Sequence, residues 1–399
     1  MIDCGQQLRR LVEKLSKNGD LTKEWHEALL SVPRHTFLPP VIWRQDEDTD
    51  DYYDLVPLNR ERDPVTWHEL AYSDSSVIIQ VDDGRPGGPR GTGREITSSV
   101  SMPTAVVRML AALHAKPGHT VLEIGLGSGY NAALLAARLG ADKVTSIELD
   151  PQLTEQAHKA LSDVGFGAVT VVTGDGALGH PDGAPYDRVL STAAVYQVPP
   201  AWVEQTRPGG RIVTPWGTDY HNGGLLCLTV GEDGVARGSI TDRVSFMVLR
   251  DQRGPHVSLR SLIRYEHQPR VRTTRVHPYD VAGDRDAAFA IGLRVPRCTH
   301  IYWPAPLHAA RSSATLWFVD PESKSWASLE HFPNSGDDPD AYLVRQYGSR
   351  NLWDEVERAY RWWIDAGRPP VGRWRFTVTS AGQQVVLGSD DPDTAEGSA

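Results

Sequence analysis

The feature that most constrains the fold is a regular alternation between residues 100 and 217. The run "TVLEIG" predicts a buried strand, "YNAALLAARLG" a helix, and "KVTSIELD" the next strand. Helical and apolar runs then continue to alternate as far as "RIVTPWG". Strands that alternate with helices pack in parallel, with helices on both faces. We therefore predict an α/β fold with a doubly wound, Rossmann-like sheet, whose ligands bind at the carboxyl ends of the strands.

The alternation stops after about residue 265. Beyond it, "FAIGLRV", "TLWFVD" and "SWASLE" suggest strands, residues 351–367 a helix with one apolar face, and residues 374–388 a hairpin. A chain of 399 residues is long enough for two domains. We predict a catalytic domain at residues 1–265 and a small α+β domain at residues 266–399.

Two segments of the first domain are predicted to be inserted loops. Residues 43–68 are highly charged with little periodicity, and residues 82–95 are rich in glycine, proline and arginine. The first is most simply a solvated surface loop, with a binding lid as the alternative.

Charge and composition limit the partners of the chain. The net charge of -10 argues against nucleic acid, because such binding depends on Lys and Arg neutralising phosphates. No run of about 18 apolar residues indicates a membrane span, and the N-terminus is charged and amphipathic. The three cysteines match neither a metal site nor a disulfide framework. We expect a cytoplasmic protein without a metal, and the oligomeric state stays open.

A glycine-rich turn is the first candidate binding feature. Gly125, Gly127 and Gly129 lie between the predicted strand and helix of "VLEIGLGSGYNAALLA". Glycines there allow a tight turn and let a ligand approach the helix N-terminus. The motif alone is weak, because similar turns bind dinucleotides or nothing.

Three acidic residues near consecutive strand ends sharpen the prediction. Glu148 can accept hydrogen bonds from both hydroxyls of a ribose, and Asp175 can face an adenine amino group. Glu123 leaves a negative charge beside the turn, which suits the cationic centres of S-adenosylmethionine better than a pyrophosphate. Each acid alone could be a strand-end cap, but three acids on consecutive strand ends make that interpretation the poorer one, and the charge of Glu123 favours S-adenosylmethionine over NAD.

At this point the sequence resembles the protein-L-isoaspartate O-methyltransferases over roughly residues 1–250. The segments that carry the resemblance occur in the same order as in that family. They are "SVPRHTFLPP", "LAYSDSSVII", "SVSMP", "VLEIGLGSGYNAALLA", "TGDGALGHPDGAPYDRVLSTAA" and "VPPAWVEQTRPGGRIVTPWG". The resemblance implies a class I S-adenosylmethionine-dependent methyltransferase fold, and methylation of isoaspartyl carboxylates in proteins.

The resemblance also implies individual site residues. Ser101 falls on the active-site hydroxyl of the family, with Ser99 as a second hydroxyl that assists it. The positions that the family uses for S-adenosylmethionine are Glu123, Gly125, Gly127, Gly129, Glu148, Asp175 and Gly176.

Several features depart from the repair enzymes of the family. These are the two insertions, serine for the usual threonine at Ser99, and a C-terminal domain that we expect the repair enzymes to lack. In them the chain is similar to the subgroup that accompanies ribosomal peptide natural-product pathways: graspetides, lanthipeptides and lasso peptides. Those relatives methylate an aspartate of a modified precursor peptide, and the ester then closes to an aspartimide.

Methyl transfer to a carboxylate explains why no catalytic triad or metal motif is evident. An aspartate with a pKa of about 3.9 is already ionised at neutral pH, so no general base is needed. The protein must align the reactants, and hydroxyls can donate hydrogen bonds to the acceptor without neutralising it. The leading hypothesis is methylation of an aspartyl side chain in a modified, macrocyclic peptide. Repair of isoaspartyl residues is the alternative, and an inactive peptide-binding fold is a third reading.

Overall fold

The computed structural model describes residues 3–45, 55–254, 259–303, 315–330 and 341–388. Its residues form two compact units that are not continuous in sequence. The first contains residues 1–215, 225–249 and 376–384, and the second contains residues 216–224, 250–375 and 385–399. The predicted division after residue 265 differs from this, because residues 250–265 belong to the second unit and part of the C-terminal hairpin to the first.

The first unit contains seven helices among its described residues. They are α1 (Cys4–Lys17), α2 (Lys23–Ser31), α3 (Pro64–Ala71), α4 (Pro103–Leu113), α5 (Tyr130–Leu139), α6 (Pro151–Asp163) and α7 (Pro200–Glu204). The strands up to residue 242 are β1 (Val41–Gln45), β2 (Leu55–Asn59), β3 (Val77–Val81), β4 (Ile96–Val100), β5 (Val121–Ile124), β6 (Val144–Glu148), β7 (Thr170–Thr173), β8 (Tyr186–Ser191), β9 (Thr206–Gly217), β10 (Asn222–Val230) and β11 (Ala236–Asp242).

The C-terminal part of the chain contributes the remaining elements. Its helices are α8 (Leu259–Leu262), α9 (Pro278–Ala282), α10 (Arg285–Arg294) and α11 (Leu352–Asp365). Its strands are β12 (Arg270–Thr274), β13 (Thr299–Trp303), β14 (Thr315–Asp320), β15 (Ser325–Glu330), β16 (Tyr342–Tyr347), β17 (Trp374–Thr379) and β18 (Gly382–Leu387).

The predicted doubly wound sheet is confirmed as one half of a larger mixed sheet. Its strand order is β18-β17-β11-β10-β9-β8-β5-β6-β7. The five strands β9, β8, β5, β6 and β7 pair in parallel, whereas the pairs β10–β11 and β11–β17 are antiparallel. All residues of β5 and β8 are buried, as expected for strands that helices cover on both faces. Because these five strands are parallel, their carboxyl ends all lie along the same side of the sheet.

The prediction of a surface loop at residues 43–68 is wrong for its described part. β1 and β2 form an antiparallel hairpin, and α3 follows, capped by the Asp63 carboxylate and with Trp67 fully buried. Leu55 and Leu58 are also buried. The high charge hid a short apolar pattern. Residues 46–54 of this segment lie outside the described residues.

Both insertions are connected to one small antiparallel sheet, with the order β2-β1-β3-β4. Residues 82–95 join β3 to β4 and contain two short 3₁₀ turns. The Asp82 carboxylate accepts hydrogen bonds from the backbone N–H groups of Arg94 and Glu95, and Gly93 bridges to Leu55. The strand that precedes Ser101 is therefore an edge strand of this sheet.

The second unit contains a five-stranded antiparallel sheet in the order β12-β16-β15-β14-β13. Its core includes Phe318 and Val344 of the sheet together with Trp353 and Val356 of α11. The strand predicted at "FAIGLRV" is wrong, because these residues lie in and just after α10. Asp284 caps that helix, and periodicity cannot separate a short buried helix from a buried strand.

Candidate active site

The glycine-rich turn connects β5 to α5 in a conformation that favours glycine. The φ angles of Gly125, Gly127 and Gly129 are +90°, +54° and +86°. A Cβ on Gly125 would lie 2.7 Å from Oγ1 of Thr192, so a side chain there would collide. The turn therefore needs glycine both for its backbone angles and for the close approach of a neighbouring strand end.

Thr192 contacts this turn, although the sequence did not indicate a role for it. It directly follows β8, the strand that pairs in parallel with β5. Its hydroxyl lies 2.5 Å from the carbonyl oxygen of Gly125 and 3.1 Å from that of Ile124. Thr192 thus ties the end of β8 to the start of the turn. Its position directly after a buried strand was the only available signal.

Glu148 links the glycine turn to the end of β6. Its Oε2 accepts a hydrogen bond of 2.9 Å from the backbone N–H of Gly127, and its Oε1 accepts one of 3.1 Å from that of Asp150. The side chain is only partly buried. This predicted ribose-binding carboxylate therefore lies at the sheet edge, in contact with the predicted cofactor turn.

Asp175 and Gly176 follow β7 at the same edge. Oδ1 of Asp175 accepts a hydrogen bond of 2.9 Å from the backbone N–H of Ala177. A Cβ on Gly176 would lie 2.5 Å from Cγ2 of Ile124, the last residue of β5. The structure thus gathers the predicted glycines and both acids around the ends of β5, β6 and β7.

Two exposed leucines border these acids. Leu149 directly follows Glu148 and is 40% exposed, and Leu178 follows Asp175 by three residues and is 66% exposed. Large apolar side chains at the surface beside polar groups are suited to cover the flat face of a ligand ring. The edge therefore combines hydrogen-bond acceptors with apolar surface.

Glu123 occupies a different place from the one its charge suggested. Its carboxylate has no exposed surface: Oε1 accepts a hydrogen bond of 2.6 Å from Nδ2 of Asn131, and Oε2 accepts one from the hydroxyl of Ser146. Burial raises its pKa to about 7, against the lowering effect of the two hydrogen bonds. Glu123 therefore joins β5, β6 and α5 beneath the turn, which favours a supporting role over direct contact with a ligand.

The raised pKa of Glu123 predicts a specific pH dependence of stability. A carboxyl group with a higher pKa in the folded state binds more protons there, so stability falls as pH rises from about 4.5 to about 7. We expect Glu123→Gln to remove this loss, of about 3 kcal/mol, and to be more stable than the wild type at pH 8. Urea unfolding of both proteins between pH 5 and pH 8 measures it. Parallel pH profiles for the two would contradict the prediction.

The two candidate acceptor hydroxyls lie at the end of β4 and just after it. Ser99 and Ser101 are both partly buried, and Met102, next to Ser101, is 38% exposed. A Cβ on Gly127 would lie 3.8 Å from Oγ of Ser98, which places the strand beside the glycine turn. The strand that carries Ser99 and leads to Ser101 thus lies beside the candidate cofactor turn.

The N-terminus of α4 is capped by a side chain from a distant part of the sequence. The N-cap residue of α4 is Met102, which provides no side-chain hydrogen bond, and Pro103 begins the helix. The carboxylate of Asp74 accepts hydrogen bonds of 2.9 Å from the backbone N–H of Thr104 and 2.8 Å from its hydroxyl. Asp74 therefore caps the helix from a distant loop, which leaves the Ser101 hydroxyl without that duty.

Arg34 fixes the backbone around Ser101. Its guanidinium group is fully buried and donates to five backbone carbonyl groups. The distances are 3.3 Å to Val100, 3.0 Å to Ser101 and 2.9 Å to 3.1 Å to the carbonyls of Ala71, Ser73 and Ser75. Burial lowers the pKa of Arg34 to about 10. One buried side chain thus sets the path of two segments at the site.

Among the residues that the structure describes, no group of three or more His, Cys, Asp or Glu side chains is placed to hold a metal ion. No helix in the described part of the chain is long and apolar enough to cross a membrane.

Comparison with known proteins identifies the family. The family described as Protein-L-isoaspartate(D-aspartate) O-methyltransferase (PCMT) matches residues 55–254. A protein-L-isoaspartate O-methyltransferase of Methanopyrus kandleri is 35% identical over 248 residues, which cover 61% of this chain and 92% of the relative. A second, from Archaeoglobus fulgidus, is 31% identical over 63% of this chain and 97% of its own length. The chain belongs to this family.

A solved protein-L-isoaspartate O-methyltransferase shares the fold. Its TM-score is 0.52 at 22% identity, and the match covers 96% of this chain and all of the other. The match extends over the C-terminal part of this chain as well, and it shows a shared fold. Membership of the isoaspartyl methyltransferase family makes the chain a protein carboxyl O-methyltransferase, and its cofactor is S-adenosylmethionine.

The residues of the site fit that cofactor. Gly127 has no Cβ to fill the space beside Ser98, and two carboxylates at the strand ends can accept hydrogen bonds from ribose hydroxyls and an amino group. Leu149 and Leu178 are exposed apolar side chains that follow these acids in sequence, and such a surface suits a flat ring. The bound cofactor would supply the methyl group, while the chain's own residues hold and orient it and its acceptor.

Proposed function

We propose that the chain methylates the free carboxylate of an aspartate-derived residue in a peptide or protein, with the isoaspartyl residue as the first candidate acceptor. The observation that carries the proposal is that β4 lies beside the glycine turn, where Oγ of Ser98 would be 3.8 Å from a Cβ on Gly127. Membership of the isoaspartyl methyltransferase family supports this acceptor over other carboxylates.

The role of the protein in this reaction is alignment. Ser101, and Ser99 as its assistant, donate hydrogen bonds that hold the acceptor carboxylate toward the methyl group. An ionised carboxylate needs no base to remove a proton, so the site requires orienting donors more than an acid–base pair. Arg34 donates a hydrogen bond to the carbonyl of Ser101. The carboxylate of Asp74 caps the N-terminus of α4, so the hydroxyl of Ser101 is not needed for that cap.

A second candidate acceptor is an aspartyl side chain in a modified, macrocyclic precursor peptide, whose ester then closes to an aspartimide. The observation that favours it is the length of chain outside the family match, which ends at residue 254. The second unit contains most of those residues, and its described part includes a five-stranded sheet with its own core. We propose that this unit recognises the peptide around the acceptor.

The two acceptors can be separated with matched peptides. We would measure methyl transfer by mass spectrometry to three substrates: a linear isoaspartyl peptide, the same sequence with normal aspartate, and a macrocyclic aspartyl peptide. Selective turnover of the isoaspartyl peptide supports the first candidate. Turnover of the macrocycle alone supports the second and overturns the first.

Ser101→Ala tests the assignment of the acceptor hydroxyl. Loss of one hydrogen bond to a charged acceptor is expected to lower kcat by roughly 10- to 100-fold. Binding of S-adenosylhomocysteine should not change, because the hydroxyl serves the acceptor. Ser162→Ala, which removes an exposed serine hydroxyl on α6, is the matched control and should leave both quantities unchanged. An unaltered kcat for Ser101→Ala would show that the assignment is wrong.

A further inference from the structure

A continuous chain of hydrogen bonds connects β4 to the cofactor turn. The hydroxyl of Thr97 donates to Oε1 of Gln80 at 2.9 Å, and Nε2 of Gln80 donates to Oδ2 of Asp150 at 2.7 Å. The backbone N–H of Asp150 then donates to Glu148, whose other oxygen accepts from Gly127. Every link is a direct contact between described residues of the first unit.

Gln80 joins the two halves of this chain through a single side chain. It is 5% exposed, and Thr97 is 8% exposed. Its amide orientation is fixed, because its oxygen faces a hydroxyl and its nitrogen faces a carboxylate. The backbone N–H of Asp83 donates to the Thr97 hydroxyl at 3.1 Å, which leaves that hydroxyl's own proton for Gln80. A buried polar group with both partners in place has little freedom to move.

The two carboxylate oxygens of Asp150 accept hydrogen bonds from different partners. Its Oδ1 caps α6 by accepting from the backbone N–H groups of Gln152 and Leu153, at 2.8 Å and 3.3 Å. Its Oδ2 is the oxygen that faces Gln80. Because an asparagine oxygen caps a helix as well as an aspartate oxygen does, the capping can be kept while the second atom is changed.

We propose that Gln80 is a positioning residue that couples the acceptor strand β4 to the cofactor-binding carboxylate Glu148. A cofactor held at Glu148 then orders the strand that carries Ser99 and leads to Ser101. The proposal rests on the proposed role of these serines in holding the acceptor. It assigns to Gln80 no contact with the cofactor or the acceptor.

The geometry allows an exchange of the two side chains. In Gln80→Glu a carboxylate would face the Asp150 carboxylate, and in Asp150→Asn an amide nitrogen would face the amide nitrogen of Gln80. Either change alone removes the hydrogen bond that residue 80 donates to residue 150. The double variant forms a hydrogen bond in the opposite direction, because the new carboxylate at position 80 can accept from both the Thr97 hydroxyl and the new amide at position 150.

Two measurements on the full chain test the proposal. The first is hydrogen exchange of the amides of residues 96–101, with and without S-adenosylhomocysteine. The ligand should increase their protection in the wild type and the double variant, and should have little effect in either single variant. The second is the kinetics of methyl transfer to the isoaspartyl peptide. There we expect a roughly tenfold lower kcat/KM in each single variant and recovery in the double variant.

The controls separate coupling from general damage. Asp163→Asn changes a carboxylate at the other end of α6, where Asp163 pairs with Lys159 at the surface. This variant should behave as the wild type in both measurements. Ligand-induced protection that persists in both single variants, or a double variant no better than the single ones, would overturn the coupling. The exchange measurement needs no turnover. A wild type that methylates no test peptide but shows the expected exchange pattern would refute the proposed acceptor and leave the coupling intact.

Discussion

Arg34→Met is expected to destabilise the first unit by about 3–5 kcal/mol and to abolish methyl transfer. The guanidinium of Arg34 is the shared donor to five carbonyl groups, from residues 71 to 75 and at Val100 and Ser101. Methionine fills a similar volume but donates nothing, so buried carbonyls lose their partner. The path of the backbone into Ser101 then loses its anchor.

Urea unfolding and the rate of methyl transfer measure the effect of Arg34→Met. Arg34→Lys keeps a cation with three donors and should recover part of the stability, though not the planar arrangement. Arg237→Met is the matched control, because Arg237 lies in the same unit but is exposed and pairs with Asp233 on the surface. It should change stability by no more than about 0.5 kcal/mol. Equal effects for Arg34→Met and Arg237→Met would contradict the role of Arg34.

Glu148→Ala is expected to weaken binding of S-adenosylhomocysteine by roughly 100-fold. The substitution removes the acceptor for the backbone N–H groups of Gly127 and Asp150 and the carboxylate proposed to bind the ribose hydroxyls. Hydrogen bonds to a charged group contribute about 1.5–3 kcal/mol each, and 1.4 kcal/mol is a factor of ten in affinity.

Calorimetric titration with S-adenosylhomocysteine measures this loss. Asp175→Ala should weaken binding less, because in the proposed site its carboxylate meets only the adenine amino group. The Ser162→Ala protein serves again as a control that leaves the dissociation constant unchanged. A Glu148→Ala protein that binds as tightly as the wild type would show that the cofactor is held elsewhere.

The parallel part of the fold could be predicted because it depends on sequence patterns that span only a few residues. Short apolar runs, intervening helical periods and glycines at positive φ all act over a few residues, and they placed β5, the turn and α5 correctly. Acids at the ends of successive parallel strands must meet at one edge, so Glu148 and Asp175 could be placed together as well.

The features that the sequence did not reveal depend on contacts between distant segments. Arg34 acts on backbone carbonyls, which carry no side-chain signature, 37 to 67 residues further along the chain. Asp74 caps a helix that begins 29 residues later, and no pattern marks such a partner. Gln80 gains its role only because β3 and β4 pair and lie beside the start of α6.

Two incorrect predictions have the same physical origin. In residues 43–68 the many charged residues of the sequence concealed a short apolar pattern, whose members Leu55, Leu58 and Trp67 are buried. In α10 the residues from Ala287 to Gly292 are buried on all sides, so the helical period is lost. In both cases the surroundings of the segment decided its structure, and hydrophobic periodicity did not report them.

The first candidate acceptor of the methyl group is the isoaspartyl carboxylate. The most direct measurement uses S-adenosylmethionine with an isotopically labelled methyl group, an isoaspartyl peptide, and the same peptide with asparagine at that position. We predict that the label is transferred only to the isoaspartyl peptide and that mild base releases it as methanol, as expected for an ester. Two results would contradict this assignment of the acceptor. One is a peptide label that resists base, and the other is an unlabelled isoaspartyl peptide after incubation with a protein that binds S-adenosylhomocysteine normally.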